Sequence, residues 1–186
     1  TRLMLTVGQE QEHHATVTPQ HTRMLAYIVA GCIFAAGVYK GYYDTSVIAI
    51  IPLTVLIPWG MRWLADWLEN HHPDQTHGAL LLVDAFAVGI GIAAAGYSLV
   101  PSLTFISILL ASAMAFGNLF LVTIAAFTSL IASLLGGLIF GFAIAPYAGT
   151  PAELTFVAIA GFASYVGLSA FYIREQSRNL LGAKNL

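Results

Sequence analysis

Charge is scarce in this chain. Asp, Glu, Lys and Arg make up 9% of its 186 residues, where soluble domains carry about 25%. The formal net charge is only −2, so no basic surface is available for a phosphate backbone and no nucleic-acid partner is expected. A single cysteine, Cys32, excludes an intrachain disulfide and a cysteine-rich metal cluster. It falls in an apolar stretch and reads as a buried, inert thiol. Catalytic signatures are missing too: there is no glycine-rich phosphate loop with its lysine, no His-Glu-x-x-His and no Gly-x-Ser-x-Gly. No catalytic residue is assigned, and no cofactor is expected in the chain itself. The segment ahead of the first apolar run is about 23 residues with many polar ones, and no small-residue cleavage site follows that run. This is not the pattern of a signal peptide.

What the chain has in abundance is apolar sequence, 58% of its residues. It is gathered into six runs, centred on 24–39, 47–64, 78–97, 101–116, 119–145 and 152–172. A helix needs roughly 20 mostly apolar residues to cross the hydrocarbon core. The expected fold class is therefore all-α membrane, a six-transmembrane helix bundle. The runs leave a polar arm over 1–23, a bundle over 24–173 and a tail over 174–186.

Six crossings put both termini on one side. Arg2, Arg23, Arg62, Arg174, Arg178 and Lys184 fall on that side, and only Lys40 on the other. Lys and Arg accumulate in cytoplasmic loops, so both termini are expected in the cytoplasm. The outer connections, 41–46, 98–101 and 146–151, are short. A cue must then arrive from the membrane, through it, or from the cytoplasm.

Within the runs a few residues stand out. Pro52 and Pro58 interrupt the second run and are hinge candidates, since proline frees a helix carbonyl and favours a kink. Trp59, Trp63 and Trp67 recur every four residues and suit the headgroup interface. Small residues recur at the same spacing in Gly37/Gly41, Ala87/Gly91, Ala111/Ala115, Gly137/Gly141 and Ala163/Gly167, which lets helix backbones approach closely.

Asp84 is the ionisable residue set deep in an apolar run, and a carboxylate there needs a partner, a proton or water. By depth, Arg62, Asn118 and Ser112 are its candidate partners. These four are the candidates for ligand contact or coupling. One deep carboxylate is a poor proton or ion path, which argues against transport. His71, His72 and His77 share a connector, with His13, His14 and His21 in the arm; adjacent loop histidines are weak metal candidates, and no metal is assigned.

After the sixth run, Arg174-Glu175-Gln176-Ser177-Arg178-Asn179-Leu180-Leu181 continues without proline. Good helix formers dominate, so the helix is expected to run on into the cytoplasm toward an output domain. Leu81-Leu82-Val83-Asp84-Ala85-Phe86, the turn Leu99-Val100-Pro101-Ser102, the stretch 136–146, and Pro58-Trp59 ahead of the connector with Pro73 together resemble the second family of membrane-associated sensor domains (MASE). The resemblance runs from about Met24 to Tyr172. Such domains precede the catalytic domains of bacterial class III adenylate cyclases and of some diguanylate cyclases. It implies a membrane domain that senses a membrane-derived or lipophilic cue, forms a homodimer through its membrane helices and C-terminal helix, and regulates a cyclase that itself needs ATP and a divalent metal. Two other functions fit six helices: a small transporter or channel, and an anchor that only dimerises a cytoplasmic domain.

Overall fold

A computed structural model describes residues 22–115, 119–142 and 151–183. They form six helices: α1 (Thr22–Tyr39), α2 (Ile50–His71), α3 (Pro73–Ala94), α4 (Leu99–Ala115), α5 (Leu119–Phe140) and α6 (Ala152–Ala183). A 3-10 turn, Thr45–Ala49, leads into α2, and Asp44 caps it by accepting the Ser46 amide at 2.9 Å. Pro52 lies in the first turn of α2, where the 3-10 turn gives way to α-helix and a missing N–H is least disruptive. Pro58 is interior to α2 and buried. Pro73 opens α3, where its fixed φ suits a helix start.

Among the described residues, five segments are long and apolar enough to cross a membrane: Thr22–Tyr39, Thr45–His71, Gln75–Ala94, Phe120–Phe140 and Ala152–Ser169. The fourth apolar run falls short of this as α4. Its 17 residues rise about 25 Å at 1.5 Å each, against about 30 Å of hydrocarbon. The expected six long spans are therefore six helices with five long spans.

Contacts along the helices set their directions. A Cβ on Gly31 of α1 would meet Thr54 of α2, and Tyr27 meets Met61, so these two are antiparallel. Asp84 of α3 lies beside Arg23 and Gly91 beside Phe34, so α3 runs with α1. On α5, Leu121 lies nearest Gly78, and Gly136 lies against Ala93 and Ile90, so α5 runs with α3. On α6, Glu153 pairs with Lys40 at 2.7 Å and Gly161 abuts Val29, so α6 runs against α1. The start of α1 and the end of α6 therefore lie toward the same end of the bundle.

The tightest seam joins α3 and α5. Ala85, Gly89 and Ala93 face Ala125, Ser129, Ala132, Ser133 and Gly136. A Cβ on Gly89 would run into the Ser129 carbonyl oxygen and come within 2.6 Å of Ala132 Cβ and 2.8 Å of Ser133 N. In lipid, apolar burial does not drive helices together, so small residues and close backbones hold them instead. Many large apolar side chains point outward: Phe127, Leu138, Ile139 and Phe156 are all more than half exposed. So are Trp59 and Trp63, on one exposed face of α2. Cys32 also faces outward from α1; the expectation of a buried thiol fails because an apolar run in lipid has no single apolar face to mark its inside.

The α3–α4 turn is held by Tyr97, which adopts a positive φ of 52°. Its hydroxyl donates to the Ser133 carbonyl at 2.8 Å, and its ring stacks on Phe142. This ties the turn to the end of α5. In the turn that follows α1, Tyr43 is buried, and that burial pushes its hydroxyl up to about 12.

Candidate functional site

Arg23 and Tyr27 are four residues apart on α1 and so share one face. That face meets Asp84, which lies about three turns into α3. Arg23 Nε donates to Asp84 Oδ2 at 2.7 Å, and the Tyr27 hydroxyl donates to Oδ1 at 3.0 Å. The Tyr27 oxygen also lies 3.6 Å from Met61 Sδ of α2. The Arg23 and Asp84 side chains keep only 16% and 14% of their exposure. A pair this short is charge-assisted, and both carboxylate oxygens are occupied. Among the described residues, the terminal NH2 groups of Arg23 make no hydrogen bond.

The ion pair forms one wall of a cavity of about 330 Å³ enclosed by α1, α2, α3 and α4. Small residues make the space: Ala26 and Ala30 on α1, Ala87 and Gly91 on α3. Phe34 and Phe105 lie at its far end with ring centroids 5.8 Å apart. Leu53 of α2 and Phe86 of α3 line it too, each 47% exposed, so it communicates with the surface that lipid covers. The small pair Ala87/Gly91 thus hollows a cavity, and the close helix contact falls to Gly89 one position along the opposite face of α3.

Ser112 lines the cavity from α4, and its hydroxyl hydrogen-bonds the hydroxyl of Tyr165 on α6. Of the residues singled out in the sequence, Asp84 and Ser112 therefore share one site. Arg62 does not join them: it sits exposed on α2, and the partners of Asp84 come from α1. Asn118 lies outside the described residues, as do His13, His14 and His21. His71 and His72 are exposed; His71 stacks on Trp67 and its Nδ1 lies 2.8 Å from the Trp67 carbonyl. Among the described residues, no three His, Cys, Asp or Glu side chains come together to hold a metal.

Sequence reasoning passed over Arg23, Tyr27 and Tyr165. Arg23 counted only as a topology-setting charge at the helix start. The signal that could have found it is its spacing to Tyr27, which puts a cation and a phenol on one face of a membrane helix. Tyr165 carried no signal, being one aromatic in an apolar helix.

The arrangement suits recognition. It is an apolar cavity within the range of small-molecule sites, about 300–1,000 Å³, with polar groups converging at one end and a hydrogen bond from its wall to the last helix. Helices of alternating direction around such a cavity define a multi-pass membrane domain. Residues 20–107 match the MASE2 domain, the second membrane-associated sensor family. The matched segment holds every residue lining the cavity apart from Ile108, Leu109 and Ser112. No curated protein and no solved structure matches the chain.

Proposed function

We propose that this domain receives a lipophilic, membrane-derived cue in the α1–α4 cavity and passes it through α6 to a cytoplasmic catalytic domain, a class III adenylate cyclase rather than a diguanylate cyclase. The observation that carries this reading is the coincidence of the MASE2 match with the segment that builds the cavity. The charge asymmetry supports an orientation with both termini in the cytoplasm, and the resemblance to sensor domains of bacterial cyclases supports a bacterial inner membrane.

The route to the output is physical. Ser112 belongs to both the cavity wall and the hydrogen bond to Tyr165. Helix α6 is 32 residues long, so it rises about 48 Å, well beyond the hydrocarbon core. A shift of α4 against α6 therefore reaches past the membrane along one continuous helix. Two copies of the chain would bring two such helices together, and a cyclase that works as a pair of catalytic domains would respond to their spacing. A tenfold change in activity needs only about 1.4 kcal/mol of differential stabilisation between two arrangements. ATP and the divalent metal would belong to that catalytic domain.

The test is a chimera of this chain with a class III adenylate cyclase catalytic domain, assayed for cyclic AMP. Ser112→Ala and Tyr165→Phe are expected to change the output without loss of the bundle. Replacing the six helices by an unrelated dimeric anchor is expected to abolish regulation. Full regulation with the unrelated anchor would reduce the domain to a tether, and substrate-dependent flux through the chain in liposomes would make it a transporter.

A further inference from the structure

Resting on that reading, we infer that the cavity takes a single-chain, uncharged amphiphile whose carbonyl or ether-type oxygen accepts from the terminal NH2 groups of Arg23. The chemistry of the site selects this class over its charged counterparts. Arg23 spends one N–H on Asp84, through Nε. A guanidinium carries five such donors, so several meet no partner among the described residues, on a side chain only 16% exposed that borders the cavity. An acceptor entering the cavity satisfies them.

Charge decides which acceptor. The Arg23–Asp84 pair is neutral as a unit, and both Asp84 oxygens are already occupied by Arg23 and Tyr27. Each Asp84 oxygen keeps a lone pair, but a cationic head would add an uncompensated positive charge to this neutral unit among apolar walls. An anionic head would leave the cluster with an uncompensated negative charge among apolar walls, where charge is costly. A neutral oxygen uses the vacant donors and adds no charge. The rest of the ligand follows from shape. Its apolar body lies past Ala30, Ala87 and Gly91 toward Phe34 and Phe105. The volume, about 330 Å³, is at the small end of ligand sites and suits one chain rather than a two-chain lipid. Entry between Leu53 and Phe86, each half exposed toward lipid, lets the ligand arrive by partitioning into the bilayer.

The experiment uses the whole chain in nanodiscs and three matched ten-carbon probes: decan-2-one, decanoate and decylamine. Titration calorimetry against empty nanodiscs separates saturable binding from partitioning. Decan-2-one is expected to bind at least tenfold more tightly than either charged probe. Arg23→Gln should weaken it at least tenfold. Ala87→Leu, which fills the cavity and leaves the ion pair alone, should remove saturable binding while the helical circular dichroism is retained. Tighter binding of decanoate or decylamine, with the block by Ala87→Leu intact, overturns the headgroup assignment and leaves the cavity as the receiving site. Saturable binding that survives Ala87→Leu, or none from any probe, overturns both this inference and the cavity's role in sensing.

Discussion

Removing either partner of the Arg23–Asp84 pair will destabilise the bundle, and the two removals will not be equal. Arg23→Ala leaves a carboxylate about three turns into α3, 14% exposed, with the Tyr27 hydroxyl as its remaining partner. Breaking a buried pair in this way costs about 3–5 kcal/mol. Asp84→Ala leaves an arginine in the first turn of α1. Its long stem lets the guanidinium move to the headgroup region, so the loss is nearer that of a charge-assisted hydrogen bond, about 1.5–3 kcal/mol. The double variant has no orphaned charge and should cost less than the sum of the two. The coupling energy is then on the order of 0.5–3 kcal/mol. Unfolding in mixed micelles by rising mole fraction of SDS, followed through the tryptophans of α2, measures all four corners of the cycle. Additive losses, or an Asp84→Ala variant weaker than Arg23→Ala, would refute the placement of the charge and the asymmetry derived from it.

Three further outcomes follow from other contacts. Gly89→Ala forces a Cβ into the backbone of α5 and should cost about 1–3 kcal/mol through overpacking; Gly60→Ala, with nothing within 4 Å, should be neutral or gain up to about 1 kcal/mol from helix propensity, and equal stabilities in the same SDS titration would dismiss the α3–α5 seam. Tyr97→Phe removes the bond to the Ser133 carbonyl and should lower stability by about 1 kcal/mol, read as an earlier midpoint; an unchanged midpoint would mean that the turn is held without it. Hydrogen bonding by the Ser46 amide holds the exposed Asp44 carboxyl below the usual carboxylate range. Its capping contribution is therefore complete above the unfolded value of about 3.9 and fades as pH falls through the lower folded one; amide exchange at Ser46 should rise in that acid window in wild type and not in Asp44→Asn.

The helix count and the sequence order of the helices were legible in the apolar runs, because a bilayer imposes a minimum length on anything that spans it. The apolar run at α4 is continuous, but its described helix has 17 residues; hydropathy does not see where the Tyr97 turn begins. Asp84 was legible because a carboxylate in lipid is expensive wherever it points. Its partners were not. Depth arguments ranked Arg62 and Asn118, while the rotation of α1 about its own axis brought in Arg23 and Tyr27, and no one-dimensional pattern encodes that rotation when both faces of a helix are apolar.

The small residues divide in the same way. From the sequence, Ala87/Gly91 and Gly137/Gly141 were as plausible for close packing as any other pair. The fold uses Ala85, Gly89 and Ala93 for the seam with α5 and turns Ala87 and Gly91 toward a cavity. Sequence alone determined that this protein lives in a membrane, that its charge lies mainly toward one side, and that a single deep acid needs an explanation. Tertiary structure decided which helix answers that acid, where space is left, and how the space connects to α6. The reason is physical: solvent sets the composition of each helix, whereas the rotation and register of helices are set by contacts between residues far apart in the chain.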